Sequence, residues 1–202
     1  MIVLMRHART EGGEGRCIGR TPLHLSAEGR EQAGRVAAHL AGCGFVRLCA
    51  SPALRAVDTL HPLAERLGME PDILPELDEI DMGEWDGLPF DEIRRRDPGA
   101  YAERGREFAA FRPPGGESFS DVAQRAMAVL HSLSAGPQPV LAVTHAGVIR
   151  AVLCRLTGHP LDDLFHFSPE HTACTLVRAE PEGLRLVGVG VPAPMVRSLL
   201  LL

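Results

Sequence analysis

The chain has 202 residues, 45% of them hydrophobic and 23% charged. At that size roughly 9,000 Å² stays exposed on folding and about 70% of the extended chain's surface is buried, which excludes a disordered chain, a collagen-like chain and a disulfide-held miniature. The basic residues number 21, all arginine, against 26 acidic ones, for a net charge of -5. That balance argues against a nucleic-acid partner but leaves room for a local arginine cluster that grips oxyanions in bidentate fashion.

The five cysteines, Cys17, Cys43, Cys49, Cys154 and Cys174, are odd in number and form no close CxxC pair. Neither a disulfide framework nor a cysteine–zinc cluster is expected, and the expected setting is a reducing cytoplasm. The apolar start, residues 1–5, is followed by Arg6-His7, the reverse of a secretory leader's order. No stretch approaches the ~20 apolar residues needed to cross a bilayer, so no membrane partner is expected.

In chain order, residues 2–5 form a branched apolar run that predicts a buried parallel strand, handing a polar loop to the surface at Arg6-His7. Residues 11–24 are rich in glycine and charge and read as loop. Ser26 is placed to cap a helix whose apolar face carries Ala33, Val36, Ala37 and Leu40 and which closes near Gly42 and Gly44. A second strand is expected over 45–49, with Ser51-Pro52 as N-cap and first residue of the next helix. Residues 71–77 read as extended. A short helix over 89–96 should stop at Asp97-Pro98-Gly99, with a further helical piece over 100–111. Ser118 is expected to cap a long helix presenting Val122, Ala126, Val129 and Leu133. Residues 140–143 predict another buried strand, followed by an apolar helix through Leu156, and residues 173–178 and 184–189 predict a hairpin. Alternating strands and helices define an α/β chain, here one domain over 1–202 with a cap inserted at about 78–117. The tail 199–202 is all leucine; it can pack on the body, join two copies as a homodimer, or fray.

Chemistry-bearing residues fall at the ends of these strands. Arg6 and His7 follow the first, Arg55 lies early in the helix after the second, and His145 follows the strand ending at Thr144. Ligands of open parallel sheets bind beyond the carboxyl ends of the strands, so these groups can converge. Helix N-termini after Pro52 and Ala146 add oriented amide donors for an anion. Glu79 brings a carboxyl group at the opening of the cap segment.

Five blocks, in order along the chain, carry a resemblance. Arg6-His7-Ala8-Arg9-Thr10 resembles the Arg-His-Gly-Glu-Thr signature of the histidine phosphatase superfamily, the phosphoglycerate mutase-like proteins. Ser51-Pro-Ala-Leu-Arg55-Ala-Val-Asp-Thr59 matches its Ser-Pro-x-x-Arg-Ala-x-x-Thr block, and residues 77–87 resemble its Leu-x-Glu-x-x-x-Gly-x-Trp-Glu-Gly block, with Asp86 where Glu is usual. Gly115-Gly-Glu-Ser118 and Val143-Thr-His145-Ala-Gly-Val-Ile-Arg150 complete the set. Three further departures lie by the site: Ala8 replaces Gly, Arg9 replaces Glu, and Gly13 falls near a position where many relatives place Asn against phosphate.

The resemblance implies a three-layer α/β/α sandwich with a mostly parallel sheet, and a metal-independent phosphomonoesterase without a cofactor. It implies that His7 is the nucleophile that accepts the phosphoryl group. Arg6, Arg55, His145 and the Ala146 amide would hold the phosphate oxygens, and Glu79 would protonate the leaving alcohol and later activate water. Arg9, Gly13, Arg16 and Trp85 are candidate substrate contacts, Trp85 being read first as cap packing, and His24, His166 and His171 are candidate rim histidines weighed against ordinary surface or core roles. The implied partners are a small phosphate monoester and inorganic phosphate as product. Residues 73–85 and Leu164-Phe-His-Phe167 look most like the α-ribazole phosphatases of cobalamin synthesis, with Trp85, Phe90 or Phe108 offered as apolar contacts. The alternatives are a broad sugar-phosphate phosphatase, a cofactor-dependent phosphoglycerate mutase and a phosphate-binding scaffold without turnover.

Overall fold

Strand alternation sorts the core into two faces. In β1 (Ile2–Arg6), Val3 and Met5 join a cluster with Leu60 and Leu63, while Ile2 and Leu4 join another with Val122, Val148 and Val152. The same split runs through β2 (Arg47–Ala50) and β4 (Val140–Thr144), where Leu141 and Val143 face one side and Val140 and Ala142 the other. Successive side chains point to opposite faces of a pleated strand, so a fully apolar run needs cover on both. The computed structural model describes residues 1–201. Its exposed surface, 9462 Å², is close to that expected from the mass.

Between the strands lie α1 (Ala27–Leu40), α2 (Leu54–Leu67), the two-residue β3 (Asp72–Ile73), α3 (Phe90–Arg96), α4 (Pro98–Arg106), α5 (Phe119–Ser134) and α6 (Ala146–Thr157). The chain closes with β5 (Cys174–Glu180), β6 (Gly183–Val191) and α7 (Ala193–Leu200). Among the described residues the sheet has six strands in the order β3-β2-β4-β1-β5-β6. β1, β2, β3 and β4 pair in parallel, and β5 and β6 run antiparallel at one edge. Helices α1, α2 and α7 cover the Val3 face; α5 and α6 cover the Ile2 face. This is the α/β/α sandwich implied by the sequence.

Several boundaries differ from expectation, each for a tertiary reason. Ser51 is not the N-cap of α2: the helix starts at Leu54 with Ala53 as N-cap, and the Ser51 hydroxyl accepts the Ala53 amide at 3.1 Å while also meeting His145 and Asp78. Arg55 is therefore the second residue of α2. The second strand begins two residues late, at Arg47, and the extended stretch 71–77 shrinks to β3 plus a 3₁₀ turn at Pro75–Leu77. Asp97-Pro98 stops α3 and also starts α4, since the Asp97 carboxylate accepts the Ala100 amide at 3.2 Å. The expected helix over 100–111 is thus Pro98–Arg106. Ser118 caps α5 as expected, in a reciprocal capping box with Asp121. The tail forms α7, with Leu199 and Leu200 packed on the Val3 face and Leu201 exposed. Leu202 lies outside the described residues.

Candidate active site

A cavity of about 460 Å³ opens beyond the carboxyl ends of β1 and β4. His7, Arg6, Arg55, Glu79 and Ala146 line it, as expected, together with Arg9 and Gly13 from the 9–23 loop. His7 is held by both its backbone and its ring. Its amide donates to Thr144 O at 2.9 Å, continuing the β1–β4 ladder by one residue, and Nδ1 lies 2.8 Å from Ala8 O. A carbonyl only accepts, so Nδ1 carries the proton and Nε2 keeps its lone pair. Burial, then the neighbouring His145, Arg55 and Arg6, hold the His7 pKa well below the usual histidine value, against the opposing Ala8 hydrogen bond. The ring stays neutral and nucleophilic in mildly acidic solution.

Behind His7 runs a largely buried chain of hydrogen bonds. Arg55 Nε donates to His145 Nδ1 at 3.2 Å, so the neutral His145 ring carries its proton on Nε2. That nitrogen lies 2.7 Å from Ser51 Oγ, and Ser51 Oγ donates to Asp78 Oδ1 at 3.0 Å. Burial keeps His145 neutral by lowering its pKa. Burial pushes Asp78 upward, but the nearby His145 ring and hydrogen bonds from the Glu79 amide and Ser51 outweigh it and lower its pKa. Arg55 also donates to Gly19 O at 2.7 Å and Thr21 O at 3.0 Å. Asp86 in turn fixes that loop by accepting the Gly19 and Arg20 amides, both at 2.9 Å, and the Thr21 hydroxyl at 2.7 Å. His145 has no exposed surface, its ring nitrogens have Arg55 and Ser51 as partners, and its ring lies 5.2 Å from that of His7.

Glu79 bridges to the start of α6. Its carboxylate accepts the Gly147 amide at 3.1 Å and the Ile80 amide at 3.0 Å. Any side chain at 147 would collide, because a Cβ there would sit 2.3 Å from Glu79 Oε1. Arg125 holds the backbone around Glu79, donating to Glu76 O and Asp78 O at 2.6 Å each and to Glu79 O at 3.1 Å. Glu117 anchors Arg125 at 3.0 Å and accepts the Asp81 amide at 2.9 Å, which explains the Gly115-Gly-Glu-Ser118 block. Thr59 of the Ser51–Thr59 block braces the site in a comparable way, donating to Arg55 O at 2.6 Å and accepting the Ala8 amide at 2.9 Å.

Arg6 is incompletely partnered. Its Nη1 donates to Pro169 O at 2.9 Å, while Nε is buried without an acceptor. Burial lowers the pKa of Arg6 and of Arg55, and Glu79 opposes this in both. Two further residues line the cavity that the motifs do not assign to it. Arg150 lies four residues after Ala146 on the same face of α6, and that spacing is the signal that points to it. His171, weighed above only as a rim histidine, bonds His7 O through Nδ1 at 2.8 Å, with the rings 5.3 Å apart. No local pattern marks it, since it arrives from the irregular segment before β5.

Two candidate substrate contacts fall elsewhere. Trp85 is buried in the core, stacked at 5.2 Å on Phe111, and Arg16 donates to Gly87 O at 2.8 Å outside the cavity. Phe108 stacks on Phe119, and neither it nor Phe90 lines the pocket. His24 borders a different hollow, and His166 lies far along the chain against His159. Burial pushes the Cys17 thiol up to about 11, which makes it inert near neutral pH.

A nucleophilic imidazole, flanking arginines and a carboxyl group at the end of a parallel sheet define a phosphoryl-transfer pocket. The chain belongs to the histidine phosphatase superfamily (branch 1), whose family model matches residues 2–192. It is 35% identical over 172 residues to the glucosyl-3-phosphoglycerate phosphatase of Mycolicibacterium vanbaalenii, covering 80% of this chain and 76% of that protein. It is 29% identical over 167 residues to the adenosylcobalamin/alpha-ribazole phosphatase of Escherichia coli, covering 81% and 82%. The crystal structure of the alpha-ribazole phosphatase from Shigella flexneri superposes with a TM-score of 0.85 at 26% identity, covering 94% of this chain and 95% of that one. The protein is thus a histidine-phosphatase-type hydrolase.

Proposed function

We propose that the chain hydrolyses phosphate monoesters through a phosphohistidine on His7, without a metal ion. The observation that carries this reading is the fixed tautomer of His7, which leaves Nε2 unprotonated in a cavity shared with Arg6, Arg55 and Glu79. In the first step Nε2 attacks phosphorus, the P–O ester bond breaks, and Glu79 gives its proton to the departing alcohol oxygen. In the second, water attacks the phosphoramidate phosphorus and loses a proton to Glu79, and the P–N bond breaks to release inorganic phosphate. Arg6 and Arg55 neutralise the equatorial oxygens throughout. The segment 78–117 serves in this reading as a cap fixed through Arg125 and Glu117.

The substrate we infer is a polar monoester with hydroxyl groups or a second anionic group, of the sugar-phosphate or glycosylated phosphoglycerate kind. Arg9 and Arg150 add positive charge beyond the phosphate pocket and Thr10 a hydroxyl, against one acidic residue, Glu14, and two aliphatic ones, Ile18 and Leu23, with no tryptophan, tyrosine or phenylalanine lining the cavity among the described residues. Alpha-ribazole 5'-phosphate is the second reading, favoured by the likeness to the Shigella structure. Comparing kcat/KM for glucosyl-3-phosphoglycerate, simple sugar phosphates and alpha-ribazole 5'-phosphate tests the order, and a higher value for the last reverses it. Rapid quench with a labelled substrate tests the chemistry: an acid-labile, base-stable label on wild type is expected to vanish in His7→Ala. A label retained in that variant removes His7 as the acceptor.

A further inference from the structure

We propose that His159, Asp163 and His166 form a binding site for one divalent transition-metal ion of the zinc, cobalt or nickel class, on the surface and apart from the phosphate pocket. One donor atom from each residue can be chosen so that all three lie within 4.8 Å of one another. His159 Nε2 and Asp163 Oδ2 are already 3.0 Å apart, and the two imidazoles stack with centroids 4.4 Å apart and planes inclined by 26°. Each imidazole plane must contain its own metal–nitrogen bond, so two stacked rings cannot both bind as they stand; binding requires one ring to turn out of the stack while its donor atom stays within reach of the other two. Two imidazoles and one carboxylate suit borderline ions better than calcium or magnesium, which favour all-oxygen shells.

The surrounding structure keeps the donors close together. The ring of Phe167 meets both imidazoles edge-on, at 5.5 Å from His159 and 5.0 Å from His166. Asp163 leaves helical geometry, at φ -110° and ψ 35°, inside the 3₁₀ segment Leu161–His166. An ion here would tie the turn after α6 to that segment. The same stretch supports the pocket from behind: Phe167 O accepts Arg150 Nε at 2.9 Å, and Arg150 lies 4.8 Å over the Phe165 ring. The ion is thus placed to stiffen the support of a pocket arginine without touching substrate.

The test uses tag-free, chelator-stripped full-length protein in a phosphate-free, weakly coordinating buffer, since zinc and cobalt phosphates precipitate. Titration with cobalt(II), read by its visible absorption, and with zinc(II), read by calorimetry, is expected to show one ion per chain. His159→Ala and His166→Ala should each weaken binding about tenfold or more. The rise in thermal midpoint on adding zinc should disappear in the double variant. Retained turnover of an aryl phosphate by the variants shows that they are folded. Absence of bound ion in wild type, or binding unchanged in the double variant, overturns the proposal.

Discussion

The rear and the front of the pocket are built differently. At the rear, Arg55, His145, Ser51 and Asp78 come from the ends of β2 and β4 and the segment after β3, and each is tied to the next by a hydrogen bond, two of them buried and the Ser51–Asp78 link partly so. At the front, the 9–23 loop supplies Arg9, whose side chain is 57% exposed and pairs with Glu28 at 3.3 Å. A buried, satisfied network holds one geometry because each broken link leaves an uncompensated polar group. An exposed pair contributes little and rearranges readily. The rear is thus suited to the phosphate that every monoester shares, and the front to whatever the phosphate is attached to.

The sharpest way to probe the shared machinery is Glu79→Gln, which removes the proton donor while keeping its shape. Turnover of an alkyl phosphate is expected to fall 10²- to 10⁴-fold, about the worth of general acid catalysis, with a much smaller loss in the phosphorylation step for a nitrophenyl ester. Equal losses on both would make Glu79 structural. Next, Ser51→Ala cuts the rear chain one link behind His145. A hydrogen bond within a charged network is worth enough that kcat/KM should fall about 10- to 100-fold for all esters alike. A loss confined to large substrates would erase the distinction between rear and front. Arg9→Gln is the frontal counterpart: KM should rise about two- to fivefold for esters bearing a second anion, and stay unchanged for a small aryl phosphate.

The smallest effect is on stability. His7, His145 and His171 all have pKa values lowered in the folded protein, each chiefly by burial. The unfolded chain therefore takes up protons first as pH falls through about 6.5, and stability should decline below that point and level off above it. Urea unfolding at several pH values measures this. The decline should survive His171→Asn, because the more buried His7 and His145 lie at the rear and remain. A flat profile between neutral and mildly acidic pH contradicts the assignment.

The rear is more legible in the sequence than the front. Fully buried parallel strands leave unbroken apolar runs, so residues 2–5 and 140–143 declare themselves, and with them the positions of His7 and His145. Helix caps with local partners, Ser26 and Ser118, are equally readable. Ser51 has the same local signature, yet its hydroxyl accepts the Ala53 amide ahead of the helix and also meets His145, 94 residues away. Nothing in a local pattern carries that bond. The partners of His145 are hidden for the same reason: chain position places it near His7, but only packing brings Arg55 and Ser51 to its ring nitrogens. Trp85, read first as cap packing and only second as a substrate contact, is buried and stacked on Phe111. His171 escapes assignment because its segment has no period to read.

Ala8 stands where the family signature has glycine, immediately after the nucleophile. Its methyl group is fully buried in a small cluster with Leu25 and Ala33, and its backbone lies outside the left-handed region that would need glycine. Replacing glycine by alanine at such a position reduces the freedom of the unfolded chain, worth about 0.4–1 kcal/mol to the folded state. The chain entering the catalytic loop thus has fewer conformations to abandon when it folds. The order that fixes the His7 tautomer through Ala8 O is drawn in part from the denatured ensemble, where no contact in the native pocket would reveal it.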